Sequence, residues 1–111
     1  MHVPRRRFEQ LVAEALDSLP ADLLEHAENV AVLIADTPSA AQRAHAADAD
    51  LFGLYESDEV MPDRITLFRH TLCNACEDED DLFEEIRVTL VHEFAHHFGI
   101  DDDRLDELGW S

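Results

Sequence analysis

The segment HEFAHHFGIDD, residues 92–102, has the spacing of a metal-binding helix. On an α-helix, His92 and His96 lie about 40° apart on one face, so both imidazoles reach one ion. Glu93 lies about 100° round from His92 and flanks the ion without needing to bind it. A water molecule on the ion would be within reach of Glu93, and this is the physical content of the HExxH pattern. The pattern therefore predicts a metal ion on His92 and His96, with Glu93 as the catalytic base.

A glycine and three acidic residues follow the histidines and predict a third ligand. Gly99 lets the chain turn sharply at the end of the helix and double back toward the ion. The spacing then places Asp102 as the ligand, and a carboxylate oxygen is acceptable to zinc. Asp101 and Asp103 remain alternatives, and one of the three acids should cap the next helix, a position that suits Asp103. Three protein ligands leave a fourth position for water, as a catalytic Zn2+ requires.

The rest of the chain combines helical and strand patterns, which predicts an α+β fold. The motif helix has a broad apolar arc on the side away from the two histidines, so one side is buried and another presents the ligands. No repeat or linker divides the sequence, so we expect a single domain over residues 1–111. The predicted elements are helices over 5–19 and 20–27, a strand over 29–36, a helix or long loop over 40–50, a short strand or turn over 51–55, a strand over 64–69, a loop over 71–81, the motif helix over 80–98 and a helix over 103–108.

The composition is strongly acidic and excludes several classes of partner. Eight Lys and Arg residues stand against 26 Asp and Glu, a formal net charge of -18. Such a surface repels nucleic acid and anionic membranes, so neither is predicted as a partner. No apolar run approaches the roughly 20 residues that span a bilayer, and no apolar stretch of a secretory signal follows the arginines at 5–7. We therefore expect a cytoplasmic protein.

Several further residues have side chains that can carry chemistry. Cys73 and Cys76 form a lone CxxC, a pattern shared by redox pairs, halves of zinc sites and simple turns. With no second CxxC, we interpret them as reduced thiols in a surface turn. His97 projects about 100° from His96 and is interpreted as packing or supporting a ligand rather than lining the cleft. His70, like His45, lacks partner spacing and is read as an ordinary surface or core histidine. Tyr55 could hydrogen-bond a reaction intermediate, although no pattern places it there.

These segments resemble the family of short bacterial zincin-like metallopeptidases, also called minimal zincins. The specific element is HExxHxxGxxD, and the segments NVAVLIAD, LFGLYE, RITLF and IDDDRLDELG add to it. The resemblance implies a reduced zincin fold, with a small mixed sheet packed on the motif helix and flanking helices. It also implies Zn2+ bound by His92, His96 and Asp102, with Glu93 as base in the hydrolysis of peptide bonds by metal-activated water. No methionine follows Asp102, so the resemblance does not extend to the methionine turn of the metzincins.

Two alternatives to an independent peptidase stay open. The sheet edge that would bind a peptide substrate is predicted to be short or absent, which favours a zinc-stabilised, non-proteolytic binding module or a protease that needs a protein partner. Glu93 favours catalysis, because a purely structural site has no use for a carboxylate that does not bind the metal. A third interpretation, an RNA-processing metalloenzyme with three histidine ligands, lacks the third histidine and has the wrong charge.

Overall fold

The structure is a computed structural model that describes residues 1–46, 51–100 and 102–109, with the backbone alone at His26, His45, Ala46 and Asp102. Its elements are α1 (Arg5–Asp17), α2 (Ala21–His26), β1 (Ala31–Ala35), α3 (Ala40–Ala46), β2 (Gly53–Glu56), β3 (Arg64–Phe68), α4 (Arg69–Ala75), α5 (Glu79–His97) and α6 (Asp102–Leu108). The predicted α+β fold is confirmed. The undecided segment is a helix over residues 40–46, and residues 47–50 lie outside the described part. None of the described helices is long and apolar enough to cross a membrane.

β3 is the centre of a three-stranded mixed sheet with the order β1-β3-β2. β1 pairs with β3 in parallel, and β2 pairs with it antiparallel. Ile65, Thr66, Leu67 and Phe68 are all buried, so this strand is covered on both faces. The segment LFGLY, predicted as a strand or a turn, supplies most of β2 and forms one edge of the sheet.

α5 carries the motif, and polar signals define both of its ends. The carboxylate of Asp78 caps the first turn by accepting the N–H of Asp81 at 2.8 Å, and acidic residues in that turn complement the helix dipole. At the other end, Gly99 has a φ of 74°. The N–H of Ile100 then donates to the C=O of Ala95 at 2.8 Å, which is the long bond of a Schellman motif. The predicted glycine stop is confirmed.

The prediction of a loop over residues 71–81 is wrong in its first half, because α4 covers Arg69–Ala75. The prediction of a surface turn at the two thiols is wrong as well. Cys73 lies within α4 and Cys76 directly after it, and both are free, buried and part of the hydrophobic core. A helix of seven residues is too short to give a clear periodic signal. Burial, more than the nearby acidic side chains, raises the pKa of the Cys76 thiol and disfavours a reactive thiolate.

Arg69 ties the N-terminal segment to the sheet. Its side chain is largely buried, its Nε donates to Asp36 Oδ1 at 2.9 Å, and its Nη1 donates to the C=O of Val3 at 2.7 Å. The hydrogen bond from Arg69 holds the pKa of the Asp36 carboxyl below its usual range. Because the partners come from distant parts of the chain, the contact fixes the start of the chain against the end of β1.

The outer edge of β1 is partly occupied by a side chain of α1. Ala31 donates its N–H to the C=O of Asp63, so the N–H and C=O groups of Val32 and Ile34 point away from β3. Arg5 Nη2 donates to the C=O of Ile34 at 2.8 Å. A charged side chain on an edge is one of the ways in which native sheets limit unwanted pairing.

Candidate metal centre

The two histidines of the motif lie side by side in the last two turns of α5. Their ring centroids are 6.3 Å apart and the ring planes differ by 14°. His96 is exposed and His92 is partly exposed, so a dissolved ion can reach both rings. Two imidazoles on one zinc, with Zn–N distances of about 2.0–2.1 Å, would have centroids about 5 Å apart. The rings are therefore about 1 Å further apart than two imidazoles on one zinc would be, and their donor chemistry suits zinc.

Glu93 lies between the histidines and the sheet and is half-buried. Burial raises the pKa of its carboxyl, while His96, the backbone of Tyr55 and His92 act in the opposite direction. The lowering effect of the Tyr55 backbone comes from its N–H, because only a donor favours the charged carboxylate. Glu93 thus faces the two imidazoles on one side and the backbone of β2 on the other.

The predicted third ligand follows the motif helix, at the start of α6. Asp102 is the first residue of α6, but its side chain is outside the described residues, as is the whole of Asp101. The described residues contain no group of three or more His, Cys, Asp or Glu side chains placed to hold a metal. Ligation by Asp102 stays a prediction. The suggestion that Asp103 caps the last helix is wrong, because this residue lies within α6 rather than before it.

β2 approaches α5 very closely, and Gly53 is the point of contact. A Cβ atom added at Gly53 would be 2.8 Å from the Cγ2 methyl of Thr89, and this threonine is itself buried. The Thr89 hydroxyl donates to the C=O of Glu85 at 2.8 Å, which fixes the rotamer that directs the methyl at the strand. The sequence places Thr89 on the same helix sector as the ligands. The structure reveals that this part of the sector is covered by the sheet edge.

The free edge of β2 faces the candidate metal centre. Phe68 donates its N–H to the C=O of Phe52, which makes these two residues a hydrogen-bonded pair. By the alternation of an antiparallel ladder, the N–H and C=O groups of Gly53 and Tyr55 then point away from β3. The Tyr55 N–H that lowers the pKa of Glu93 is one of these outward groups.

A second cluster of polar and aromatic side chains lies directly beside the motif. The Tyr55 ring stacks on His97 with a centroid distance of 3.9 Å and meets Phe94 edge-on at 6.4 Å. The Tyr55 hydroxyl donates to Asp63 Oδ2 at 3.0 Å, and His97 Nε2 lies 3.5 Å from the same oxygen. His97 therefore packs, as the sequence interpretation has it. Sequence reasoning missed Asp63, whose only signal is an acidic residue just before a strand.

His70, Cys73 and Cys76 lie in or directly after α4, not on α5. His70 is an exposed residue of α4, and its backbone N–H donates to the C=O of Asp36. The side chain of His45 lies outside the described part of the chain. Cys73 and Cys76 belong to the core cluster rather than to the metal-binding face of α5.

Comparison with known proteins agrees with this architecture. No curated protein sequence matches the chain. A conserved hypothetical protein from Thermus thermophilus has a solved structure that superposes with a TM-score of 0.62 at 19% identity, over 86% of this chain and 94% of that one. At this identity the likeness establishes the fold alone. The sequence matches the family model described as zincin-like metallopeptidase over residues 27–110, which is more than half of the chain. The chain belongs to the zincin-like metallopeptidase family.

Proposed function

We propose that this chain is a zinc-dependent peptidase that binds the ion through His92, His96 and Asp102 and uses Glu93 as its base. Membership of the family supports the proposal. The observation that carries it is the place of Glu93, half-buried beside both histidines and next to the outward backbone of the neighbouring strand. A metal site that served stability alone would need no carboxylate in that position.

The residues divide the chemistry between them. When bound, zinc supplies a Lewis acid for the scissile carbonyl and lowers the pKa of a bound water. His92 and His96 bind through neutral imidazole nitrogens. Glu93 takes the proton from the water and delivers it to the leaving amine. The burial that raises the pKa of Glu93 suits this role, because the carboxyl must hold the proton between the two steps.

The substrate is an extended peptide laid along the free edge of β2. Gly53 turns an N–H and a C=O toward that edge and Tyr55 turns a C=O toward it, and such groups bind an added strand. A pocket of about 450 Å³ lies along the same strand and offers space for a substrate side chain. It is lined by Leu54, Tyr55, Glu56, Ser57, Asp58 and Arg64.

A second candidate is a zinc-stabilised binding module, or a protease that needs a protein partner. The length of β2 favours it, because the strand has four residues and one of its outward N–H groups, that of Tyr55, faces Glu93. An unfolded peptide therefore finds few backbone partners here, whereas a protein partner can add a second strand and lengthen the edge.

The test combines metal content with cleavage. The purified chain, reconstituted with zinc, is compared with His96→Ala and Glu93→Gln, and with His2→Ala as a control at an exposed histidine. We expect about one zinc per chain, lost in His96→Ala and kept in the other two variants. At zinc concentrations about 100-fold above Kd, the free energy of unfolding should rise by about 2.7 kcal/mol.

Cleavage of a peptide library then separates the candidates. In Glu93→Gln the rate should fall by about 10²- to 10⁴-fold while zinc binding persists. Zinc binding without cleavage by the wild type would favour the binding module or the partner-dependent protease. A wild type that takes up no zinc would refute the proposal.

A further inference from the structure

The side chain of Tyr55, on the edge strand β2, makes three separate contacts with α5 and with Asp63. Its ring is clamped between Phe94 and His97, which lie one turn apart on α5. Its hydroxyl is bound to Asp63, and the same carboxylate oxygen approaches His97. The Tyr55 ring is thus held by a stacked contact, by an edge contact and by the hydrogen bond of its hydroxyl.

Asp63 is held in place by the pairing of β1 and β3. It directly precedes β3, and its C=O accepts the N–H of Ala31 at 2.9 Å, the first bond of the parallel pairing between β1 and β3. Its side chain then reaches across to the neighbouring strand at Tyr55. A residue fixed by the central pairing of the sheet therefore fixes the position of the edge strand over α5.

The backbone of the clamped residue faces the motif. The N–H of Tyr55 points away from β3 and, on the side of Glu93, lowers the pKa of its carboxyl. A shift of Tyr55 along or away from α5 moves this N–H with it. A displacement of the Tyr55 ring would therefore change the surroundings of the Glu93 carboxylate as well.

We propose that Asp63, His97 and Tyr55 act as a positioning unit, in which Asp63 and His97 hold Tyr55 so that its backbone N–H orients the Glu93 carboxylate for proton transfer. The inference rests on the proposed function, because it takes Glu93 to be the base. None of the three residues needs to touch the substrate. Their effect passes through the orientation of one carboxylate.

The principal test is steady-state cleavage by the zinc-loaded enzyme. The variants are Tyr55→Phe, Asp63→Ala and Asp63→Asn, with Asp36→Ala as the matched control because Asp36 tethers Arg69 beside β1 and away from Glu93. We expect kcat to fall about 10- to 100-fold in Tyr55→Phe and Asp63→Ala with KM unchanged within about twofold, as for a misplaced catalytic group. Asp63→Asn should regain most of kcat, since its amide oxygen still accepts the tyrosine hydroxyl.

Other outcomes overturn the positioning role. A raised KM with unchanged kcat would make the cluster part of substrate binding. Unchanged kinetics with lower thermal stability would make it a packing contact only. Asp36→Ala should lose stability and keep kcat, so an equal loss of kcat in this control would also count against the inference. If Asp63→Ala does not fold, Tyr55→Phe decides, because it removes one hydroxyl and keeps the ring stack.

A second readout needs no cleavage. Hydrogen exchange of the amide at position 55, followed by NMR in the metal-free protein, should accelerate at least about tenfold in Asp63→Ala and Glu93→Ala and not in Asp36→Ala. A wild type that binds zinc but cleaves nothing would refute the proposed peptidase, and the exchange data would then decide the inference. An exchange rate that is the same in Asp63→Ala as in the wild type would overturn it.

Discussion

Replacing Gly53 with alanine should push β2 away from α5 and destabilise the protein. The added Cβ would lie 2.8 Å from Thr89 Cγ2, whereas carbon atoms in contact prefer about 3.5–4.0 Å. The strand or the methyl must therefore move by about 0.7 Å or more. Neither moves freely, because Leu67 and the C=O of Thr66 stand at 3.2 and 3.3 Å from the same Cβ, and the Thr89 hydroxyl is bound to Glu85.

The size of the effect follows from two opposing terms. Overpacking of this kind costs about 1–3 kcal/mol. The alanine also restricts the unfolded chain, which returns about 0.4–1 kcal/mol. We expect Gly53→Ala to lower the free energy of unfolding by about 1–2 kcal/mol, or Tm by about 5–10 °C for a domain of this size.

A double-mutant cycle tests the reasoning by urea denaturation. Thr89→Ser deletes the offending methyl and keeps the hydroxyl bond, at a cost of about 0.5–1.5 kcal/mol for one buried methyl. In the double variant, Gly53→Ala should add little further loss, giving a favourable coupling of about 1 kcal/mol or more. Independent, additive losses from the two substitutions would refute the close contact between Gly53 and Thr89 as the cause.

Three further predictions concern other parts of the fold. Burial, with the hydrogen bond to Asp63, raises the pKa of Tyr55 to about 12. Tyr55 is the only tyrosine of the chain, so the ultraviolet absorbance of the phenolate reports on this residue and should titrate with a midpoint near 12. The neutral phenol is favoured in the folded state, so stability should fall as the pH rises from 10 to 12, and Tyr55→Phe should lose that pH dependence. Gly99→Ala should cost about 1–2 kcal/mol in thermal denaturation, since the left-handed conformation disfavours a Cβ that otherwise meets no atom, and an unchanged Tm would contradict this. Arg69→Met should lower the free energy of unfolding in urea by about 2–3 kcal/mol through its lost charged hydrogen bonds, and a loss no larger than that of Asp36→Ala would show that the bond to the Val3 C=O contributes nothing.

The motif and its helix could be predicted from the sequence because their signals are local. The spacing of His92 and His96 fixes a shared face on any α-helix, and Gly99 marks a stop that needs a left-handed residue. The apolar run of β1 and the strand β3 likewise have short-range patterns of β-branched and apolar residues. These elements are observed within a few residues of their predicted bounds.

The features that could not be predicted are set by contacts between distant residues. The spacing of Tyr55 and Asp63 does not reveal that the Tyr55 hydroxyl donates to the Asp63 carboxylate. That contact exists only because β2 and β3 pair. The burial of Cys73 in the short α4 depends on the core around it rather than on its own periodicity. Thr89 looks like a solvent-facing neighbour of the ligands until the edge strand is placed over it.

The contact between Arg5 and Ile34 has a consequence for assembly. β1 and β2 are the edge strands of the three-stranded sheet. If the β1 edge of one molecule paired with the β2 edge of the next, the contact would be head-to-tail and could extend into an open filament. Arg5 already donates to the C=O of Ile34 on the β1 edge. A formal net charge of -18 also opposes the approach of identical molecules. The guanidinium therefore hinders the addition of a strand at the β1 edge, whereas the outward backbone groups of Gly53 on the β2 edge have no such side chain assigned to them among the described residues.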